Sequence, residues 1–250
     1  METESELTRR YSRQVLLPQI GEQGQRRLAQ ARVLIVGAGG LGSPVGLYLA
    51  AAGIGVIGVA DGDTVDLSNI ARQVAHFSAD VGRKKTASLA DKMRAINPNV
   101  DIIVHDCFIS QGNVAPIFSQ YDFIVDCTDS LCSKYMVNDA CAALRKPCCI
   151  GGVFQWGAQM ITCVPGSACY RCVFPDASPA AGGMSCERAG VMGTVVGMLG
   201  CLQATEALKF AAGIGGLLTD RLLTIDTLTW QISTISAKRD CRCPACSRAE

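Results

Sequence analysis

Short apolar runs alternate with longer amphipathic segments through the first 147 residues of the chain. The run Arg32–Val36 is followed directly by glycines, a pattern typical of a buried parallel strand. The pattern predicts strands at 32–36, 54–60, 101–105 and 123–127, and helices at 41–52, 78–96, 114–118 and 131–144. Strands that alternate with helices predict right-handed βαβ units, and therefore an α/β fold with a Rossmann-like doubly wound sheet.

The pattern becomes strand-rich after residue 147. Strands are predicted within 148–164, at 222–226 and at 229–236, around a linker at 173–185 and a long apolar helix at 190–212. Gln203, Glu206 and Lys209 recur at helical spacing and predict the polar side of that helix. We divide the chain into an N-terminal helical arm (1–30), a Rossmann-like half (31–147) and a strand-rich C-terminal extension (148–250), within one integrated domain.

Composition narrows the class of protein. Hydrophobic residues make up 49% and charged residues 18% of 250, which is enough apolar sequence for an ordered core. A formal net charge of +1 argues against a dedicated nucleic-acid-binding protein. Residues 1–6 are acidic and polar, unlike a signal peptide, and the longest apolar stretch, 189–202, is too short for a bilayer. We therefore expect a cytoplasmic protein that binds neither nucleic acid nor a membrane.

Four of the fourteen cysteines form two C-x-x-C pairs, Cys169 with Cys172 and Cys243 with Cys246. In each pair one tight turn presents two thiolates, and the two pairs together supply the four soft ligands of a closed tetrahedral Zn²⁺ site. Such a site is structural and ties the tail to an earlier loop. A redox dithiol is the competing interpretation. Cys241 lies close to Cys243 and could take its place as a ligand, although the C-x-x-C spacing favours Cys243 with Cys246.

A glycine-rich turn follows the first predicted strand. Gly37, Gly39 and Gly42 fit the pattern G-x-G-x-x-G, in which missing side chains allow a tight turn and bring a phosphate close to a helix N-terminus. Asp61 ends the second predicted strand, where such folds place a carboxylate on ribose hydroxyls. By itself this combination predicts NAD binding, so an NAD-dependent oxidoreductase is one candidate function.

The segment after Asp61 favours a triphosphate over NAD. It is rich in side chains that suit phosphate recognition, namely Ser68, Asn69, Arg72, Gln73 and Lys85. Arg72 and Lys85 offer cations for a triphosphate, and Asp129 offers a hard oxygen ligand for Mg²⁺. The chain contains no G-x-x-x-x-G-K-[ST] sequence, so ATP would bind here without a P-loop.

These motifs together resemble the ThiF/MoeB/HesA family, bacterial relatives of ubiquitin-activating enzymes. The resemblance rests on Arg10-Tyr11-Ser12-Arg13-Gln14, the loop 37–42, Ser68-Asn69, Arg72-Gln73, Thr128-Asp129 and both cysteine pairs. It implies Mg²⁺- and ATP-dependent adenylation of the C-terminal Gly-Gly carboxylate of a ubiquitin-like sulfur carrier protein, ThiS-like or MoaD-like, with release of pyrophosphate. A sulfurtransferase or cysteine desulfurase would then supply sulfur for thiamine or molybdopterin synthesis.

The resemblance also implies residue roles. It assigns nucleotide contacts to Gly37, Gly39, Gly40, Gly42, Asp61, Ser68, Asn69, Arg72, Gln73, Lys85, Asp129 and Ser130. ATP would occupy the 31–147 half, and the carrier and zinc the 148–250 half. Asp129 would bind Mg²⁺ and act in catalysis with Arg72, while Arg13 would reach the phosphates of the partner subunit in a homodimer. Ser130 and Lys134 stand where the family usually has asparagine and arginine, so a non-catalytic carrier-docking scaffold is a further alternative.

Cys186 follows the predicted linker and precedes Arg188, whose charge favours a thiolate. In ThiF-like members of the family a cysteine at this place is linked to a covalent acyl-persulfide with the carrier. In MoeB-like members a similarly placed cysteine is not needed. A covalent role in sulfur transfer and a spectator thiol therefore both stay open for Cys186, and the motifs fit the thiamine and molybdopterin pathways alike.

Overall fold

The computed structural model describes residue 6, residues 9–175 and residues 190–247. Its strands are β1 Arg32–Val36, β2 Val56–Ala60, β3 Asp101–His105, β4 Phe123–Asp126, β5 Cys148–Phe154, β6 Gly157–Cys163, β7 Arg221–Asp226 and β8 Gln231–Ser236. They form one sheet in the order β3-β2-β1-β4-β5-β6-β7-β8. In this order, neighbouring strands are parallel from β3 through β2, β1 and β4 to β5, and antiparallel from β5 through β6 and β7 to β8. The predicted α/β class with a strand-rich extension is confirmed.

Helices cover both faces of this sheet. They are α1 Ser12–Val15, α2 Gly21–Gln30, α3 Gly42–Ala52, α4 Lys85–Ile96, α5 Val114–Phe118, α6 Leu131–Ala143, α7 Tyr170–Val173 and α8 Gly193–Ala212. Along β1, Val33 and Ile35 belong to the buried cluster that includes side chains of α3, α4 and α8, whereas Leu34 and Val36 belong to the cluster that includes α5 and α6. Side chains alternate across a strand, so burial of both faces explains why β1 is continuously apolar.

The topology creates a crevice beside β1. That strand lies between β2 and β4, so the connections on its two sides run in opposite directions. In an open parallel sheet, ligands bind at such a switch point, outside the carboxyl ends of the strands. The segments that leave β1, β2 and β4 carry the glycine loop, Asp61 and Asp129. The fold therefore collects the predicted nucleotide residues along one edge of the sheet.

The predicted helix 78–96 is shorter than expected, because α4 begins only at Lys85. Ser78–Asp80 forms a separate 3₁₀ turn, and Gly82 has a φ of 86°, which interrupts a right-handed helix. The intervening backbone pairs with an earlier segment instead, since the amide of Val65 donates to the carbonyl of Arg83 over 2.8 Å. This pairing fixes where α4 starts and places Lys85 in its first turn.

The predicted polar side of α8 is wrong, because two of its three residues are buried. Gln203 is fully buried, and its Nε2 donates to the carbonyl oxygen of Asp126 over 2.8 Å. Glu206 is also buried and accepts hydrogen bonds from Thr162 Oγ1 and from the amide of Leu218, both at 2.6 Å. These polar groups bond to the sheet and to the segment before β7, so they fasten α8 into the core.

Helix α8 is 20 residues long, where the sequence predicted an apolar stretch too short for a bilayer. By length and composition it is the one helix in the described part of the chain that could cross a membrane, with a mean hydropathy of 1.2. Half of its apolar window is buried inside the protein, and it packs against α3 and the strands β4 to β6. Core helices of soluble proteins share this length and composition, and its packing is that of a core helix.

Candidate active site

The glycine loop joins the end of β1 to the start of α3, and its backbone leaves no room for side chains. Gly37 has a φ of 98°, and a Cβ there would lie 2.9 Å from the carbonyl oxygen of Cys127. A Cβ on Gly42 would lie only 2.0 Å from the carbonyl oxygen of Gly37. The helix that follows spans 11 residues and directs its unpaired amides and positive dipole end toward this loop. The loop therefore offers a cradle for an anion such as phosphate.

Asp61 lies where β2 ends and links this loop to the next turn. The residue is 9% exposed, and its Oδ2 accepts a hydrogen bond from the amide of Ala38 over 2.7 Å. Its Oδ1 accepts from the amide of Asp63 over 2.8 Å. Each carboxylate oxygen has a second lone-pair direction, so Asp61 can hold the loop and still accept a ligand hydroxyl. Its proposed contact with ribose stays a prediction.

The segment 66–73 packs directly on the glycine loop. Its 3₁₀ turn Leu67–Asn69 is capped by Asp66, which accepts from the amide of Ser68 over 2.8 Å. The Arg72 Nη1 donates to the Ser68 carbonyl over 2.9 Å, which folds the guanidinium back over this turn. A Cβ on Gly40 would lie 3.5 Å from the Arg72 carbonyl oxygen, so loop and segment approach closely.

Gln73 brings an amide against the same loop. A Cβ on Gly39 would lie 3.3 Å from Gln73 Nε2, so the absent side chain makes room for this amide. Gln73 is buried, yet its Oε1 has no hydrogen-bond partner among the described residues. Because a buried polar atom without a partner is costly, this oxygen marks a place where a ligand or water would be stabilised.

One cation–carboxylate contact and one helix cap order the residues around the crevice. Lys85 is buried, and its Nζ lies 2.8 Å from Oδ2 of Asp63. On the far side of β1, Ser130 caps α6, since its Oγ accepts from the amide of Ser133 over 3.1 Å. Asp129 precedes this cap and is exposed, with no side-chain partner in the described part of the chain. An exposed carboxylate at a helix start suits a hydrated Mg²⁺, which keeps several waters.

Lys134 replaces the family's usual arginine and is nearly inaccessible to solvent. Its Nζ donates to Asp126 Oδ2 over 3.1 Å, to the Thr128 carbonyl over 2.6 Å, and to the carbonyl of Gly151. These three acceptors match the three donors of an ammonium group. Lys134 therefore ties the end of β4 to β5 and fixes the backbone that leads to Asp129.

His76 supports the glycine loop from behind. It is buried, its Nε2 lies 2.8 Å from the Ala38 carbonyl oxygen, and its Nδ1 lies 2.9 Å from Ser88 Oγ. The carbonyl can only accept, so the Nε2 carries the proton and Nδ1 accepts from the hydroxyl in the neutral ring. Burial lowers the pKa of His76, which favours this neutral form. These contacts give His76 a structural role behind the loop.

The structure does not place Arg13 beside the glycine loop of its own chain. It lies in α1. Tyr11, which precedes this helix, packs on Gly53 at the C-terminal end of α3, and its hydroxyl accepts a hydrogen bond from Asn97 over 2.8 Å. The loop lies at the opposite end of this 11-residue helix, about 16 Å away. Arg13 is exposed and unpaired among the described residues, and its reach into a partner subunit stays a prediction.

The four cysteines of the two C-x-x-C pairs converge, as their spacing predicts. All four sulfur atoms lie within 4.8 Å of one another. Cys169 lies 3.8 Å from Cys172 and 3.5 Å from Cys243, and Cys172 lies 3.5 Å from Cys246. A tetrahedron with Zn–S bonds of 2.3 Å has S–S edges of about 3.8 Å, so the cluster fits a zinc ion. Cys241 is exposed and stays outside the cluster, which resolves the register in favour of Cys243.

Groups around the cluster orient these thiols. Asn138 of α6 donates from Nδ2 to the Cys169 sulfur over 3.7 Å and accepts from the Tyr170 amide over 2.8 Å. Arg171 forms a bidentate pair with Asp139, with both contacts at 2.7 Å. Burial raises the pKa of Cys169 well above its ordinary value. A metal ligand must be a thiolate, so a bound cation would have to stabilise that charge. Cys186 lies outside the described residues.

Sequence reasoning missed several of these supporting residues. Gln203 was predicted to lie on a polar helix face, and Asn138 was not singled out. Each is buried and hydrogen-bonds to a strand end or to a cysteine turn. His76 has no catalytic partner nearby in sequence, so its contact with Ala38 depends on tertiary structure alone. The available signal for Gln203 was its position in an otherwise apolar helix, where a lone amide needs a partner.

A doubly wound sheet with a glycine turn at its switch point defines a nucleotide-binding protein of the Rossmann-like class, here combined with a four-cysteine cluster. Residues 11–245 match the ThiF family, and the chain belongs to that family. It is 44% identical over 230 residues to the adenylyltransferase and sulfurtransferase MOCS3-2 of Zea mays, covering 92% of this chain and 48% of that protein.

The MOCS3 adenylyltransferase and sulfurtransferase of Bos taurus is 43% identical over 240 residues, covering 96% of this chain and 52% of that protein. The chain thus spans about half the length of these curated relatives. Among solved structures, Escherichia coli MccB with AMPCPP and MccA matches with a TM-score of 0.85 and 23% identity. That match covers 99% of this chain and 75% of MccB, and it shows that the two share a fold.

Proposed function

We propose that this chain adenylates the C-terminal Gly-Gly carboxylate of a ubiquitin-like sulfur carrier protein, ThiS-like or MoaD-like, with Mg²⁺-ATP. The observation that carries the proposal is the packing of the 66–73 segment, with Arg72 and Gln73, directly on the glycine loop. A dinucleotide site needs the loop and Asp61 but not this polar segment. The named adenylyltransferase relatives support the same activity.

The reaction joins a carboxylate oxygen of the carrier to the α-phosphorus of ATP and breaks the bond between that phosphorus and the bridging oxygen. The products are an acyl-adenylate and pyrophosphate. Both reactants are anions, so the site must supply positive charge and alignment rather than a base. Arg72, Lys85 and the loop amides would hold the phosphates, and Asp61 would hold the ribose.

Lys85 and Asp63 form a pair that suits this role. Their 2.8 Å contact keeps the ammonium group of a nearly buried lysine in one place before any phosphate arrives. Asp129 would hold Mg²⁺ through its exposed carboxylate, and the ion would offset charge on the departing pyrophosphate. Arg13 would complete the site from a second copy in a homodimer, because α1 keeps it away from the loop of its own chain.

We assign the cysteine cluster to structural zinc, because all four positions are filled by thiolates and none is left open for substrate. Sulfur would come from a sulfurtransferase or a cysteine desulfurase, and Cys186 is the candidate acceptor for a covalent transfer. Two C-x-x-C pairs that hold zinc as thiolates suit a reducing compartment, so we place the reaction in the cytoplasm.

The test is carrier-dependent exchange of labelled pyrophosphate into ATP. The chain should catalyse exchange with a carrier that ends in Gly-Gly and not with a carrier that lacks this tail. Asp129→Ala and Arg72→Ala should each lower the rate by about a hundredfold or more, since each removes a charge that acts on the transition state. Arg26→Ala removes an exposed charge that pairs with Glu22 alone among the described residues, and it should leave the rate unchanged.

Exchange at the wild-type rate in either site variant would contradict the assigned roles. No exchange with ThiS-type or MoaD-type carriers, together with calorimetric binding of NAD in preference to Mg²⁺-ATP, would overturn the proposed function itself. Comparing the two carrier types in the same assay would also separate the thiamine pathway from the molybdopterin pathway.

A further inference from the structure

A network of hydrogen bonds connects helix α4 to the glycine loop. Lys92 Nζ donates to Ser88 Oγ over 3.1 Å. The same hydroxyl oxygen lies 2.9 Å from Nδ1 of His76, whose Nε2 lies 2.8 Å from the carbonyl oxygen of Ala38. Ser88 and His76 are buried, so water does not compete for these contacts. The network therefore carries an influence of Lys92 to the backbone of the loop.

The two ends of this network fix the position of every proton in it. An ammonium group can only donate, and a carbonyl oxygen can only accept. Because Ser88 Oγ accepts from Lys92, its own proton is free to point at Nδ1 of His76. A neutral ring that accepts at Nδ1 carries its proton on Nε2, from which it donates to Ala38. Lys92 and Ser88 thus select the tautomer of His76 that holds the glycine loop.

The ammonium group that starts the network is itself held by Asp80. This carboxylate is buried, and its Oδ2 accepts from Lys92 Nζ and from the amide of Phe77. Its Oδ1 accepts from Nη1 of Arg83 over 2.6 Å. Asp80 would keep its contacts with Arg83 and Phe77 if Lys92 were replaced, so the network can be interrupted without leaving this carboxylate unpaired.

The contact with His76 orients one peptide group of the loop. The peptide between Ala38 and Gly39 is trans, so its N–H points away from the side on which its carbonyl meets His76. The Gly39 amide has no hydrogen-bond partner among the described residues. The amide of Ala38 donates to Asp61, which fixes the other side of that residue. The Gly39 N–H is thereby held open for an anion in the loop.

We propose that Ser88 and Lys92 are positioning residues, which act through His76 to aim the Gly39 amide at a phosphate of the bound nucleotide. The proposal rests on the proposed binding of ATP at the glycine loop. A backbone donor that is aimed before the anion arrives needs no reorganisation on binding. Without Lys92 the hydroxyl of Ser88 can turn away from Nδ1, and without Ser88 that atom has no donor. In either case His76 can adopt its other tautomer, whose Nε2 cannot donate to Ala38.

The first measurement is the tautomer of His76, observed by NMR of the full chain with isotope-labelled histidines. The sequence has two histidines, so His105→Gln assigns the signals. The wild type should show one neutral form of His76, with the proton on Nε2. Ser88→Ala and Lys92→Met should each add the form with the proton on Nδ1. A tautomer that stays unchanged in both variants would overturn the proposal.

The second measurement is calorimetric binding of inorganic tripolyphosphate to the full chain. Ser88→Ala and Lys92→Met should each weaken binding by about tenfold or more, because a hydrogen bond to an anion is no longer aimed. The double variant should lose no more than either single variant, since both residues act through one ring. Lys92→Arg keeps a group that can only donate and should bind within about threefold of the wild type. Arg94→Met is the matched control, because it removes a cation of the same helix that donates to β3 instead.

Several results would count against the positioning role. If Tm falls in the single variants while the affinity for tripolyphosphate is unchanged, the network only stabilises the fold and the proposal is wrong. Additive losses in the double variant, or a wild type that binds no tripolyphosphate, would overturn it as well. If the variants lose affinity as expected but the wild type supports no exchange with any carrier, adenylation fails while the positioning role stands.

Discussion

Replacing Lys134 by methionine should cost more stability than any surface charge does. Methionine has similar length and fills the space, but it cannot donate to Asp126, Thr128 or Gly151. The carboxylate of Asp126 is fully buried and, within the described part of the chain, would keep only the amide and hydroxyl of Thr128 as donors. The variant therefore isolates the effect of leaving a buried charge without its counter-ion.

The expected loss follows from that geometry. Removing one partner of a buried ion pair typically costs about 3–5 kcal/mol, because the remaining charge is desolvated and unpaired. For a chain of 250 residues each kcal/mol shifts Tm by about 2–4 °C, so we expect a fall of roughly 10 °C. Calorimetry of purified wild-type and Lys134→Met protein, under identical buffer and zinc content, measures it.

Two further variants make the reasoning refutable. Lys238→Met removes an exposed lysine at the far end of the chain and should leave Tm within about 1 °C. The double variant Asp126→Asn with Lys134→Met removes both charges of this pair, so it should be more stable than Lys134→Met alone. If Tm of Lys134→Met falls by less than about 2 °C, or if the double variant is less stable than Lys134→Met, the buried ion pair does not account for the stability of this region.

Three other outcomes follow from the site. Gly42→Ala should abolish nucleotide binding, because the new Cβ would lie 2.0 Å from a backbone oxygen, whereas Gly197→Ala on α8 adds a Cβ in open space and should bind nucleotide normally. Equal calorimetric affinities of the two variants for the nucleotide would refute this. Burial lowers the pKa of His76 in the folded protein, so stability should fall as the pH drops below about 6.5, the pKa of an unfolded histidine. If Tm of His76→Gln depends on pH as steeply as Tm of the wild type does, this prediction is wrong. Cys243→Ser should reduce bound zinc, measured by atomic emission, well below one per chain, and full retention would remove the zinc assignment.

The sequence predicted the elements whose pattern is local. The strands of the Rossmann half, the glycine turn and both cysteine pairs were predicted within a residue or two, because each depends on short-range periodicity or spacing. The start of α4 was wrong, since it depends on pairing between Val65 and Arg83. The burial of Gln203 and Glu206 was also missed, because their partners lie on strands distant in sequence.

The same division applies to the site. Asp61 and Gly42 were identified from motifs, and the structure shows why each residue type is needed there.

The cysteine cluster has a consequence for how the protein is made. Cys169 and Cys243 are 74 residues apart, and a cross-link that closes a loop of this length removes about 4 kcal/mol of chain entropy from the unfolded state. The second pair follows the first by 74 residues, so it leaves the ribosome later. The nucleotide-binding half can fold during synthesis while the clamp cannot yet form. Newly made chains would therefore pass through a stage in which the C-terminal half is least protected from proteases, and zinc supply would set how long that stage lasts.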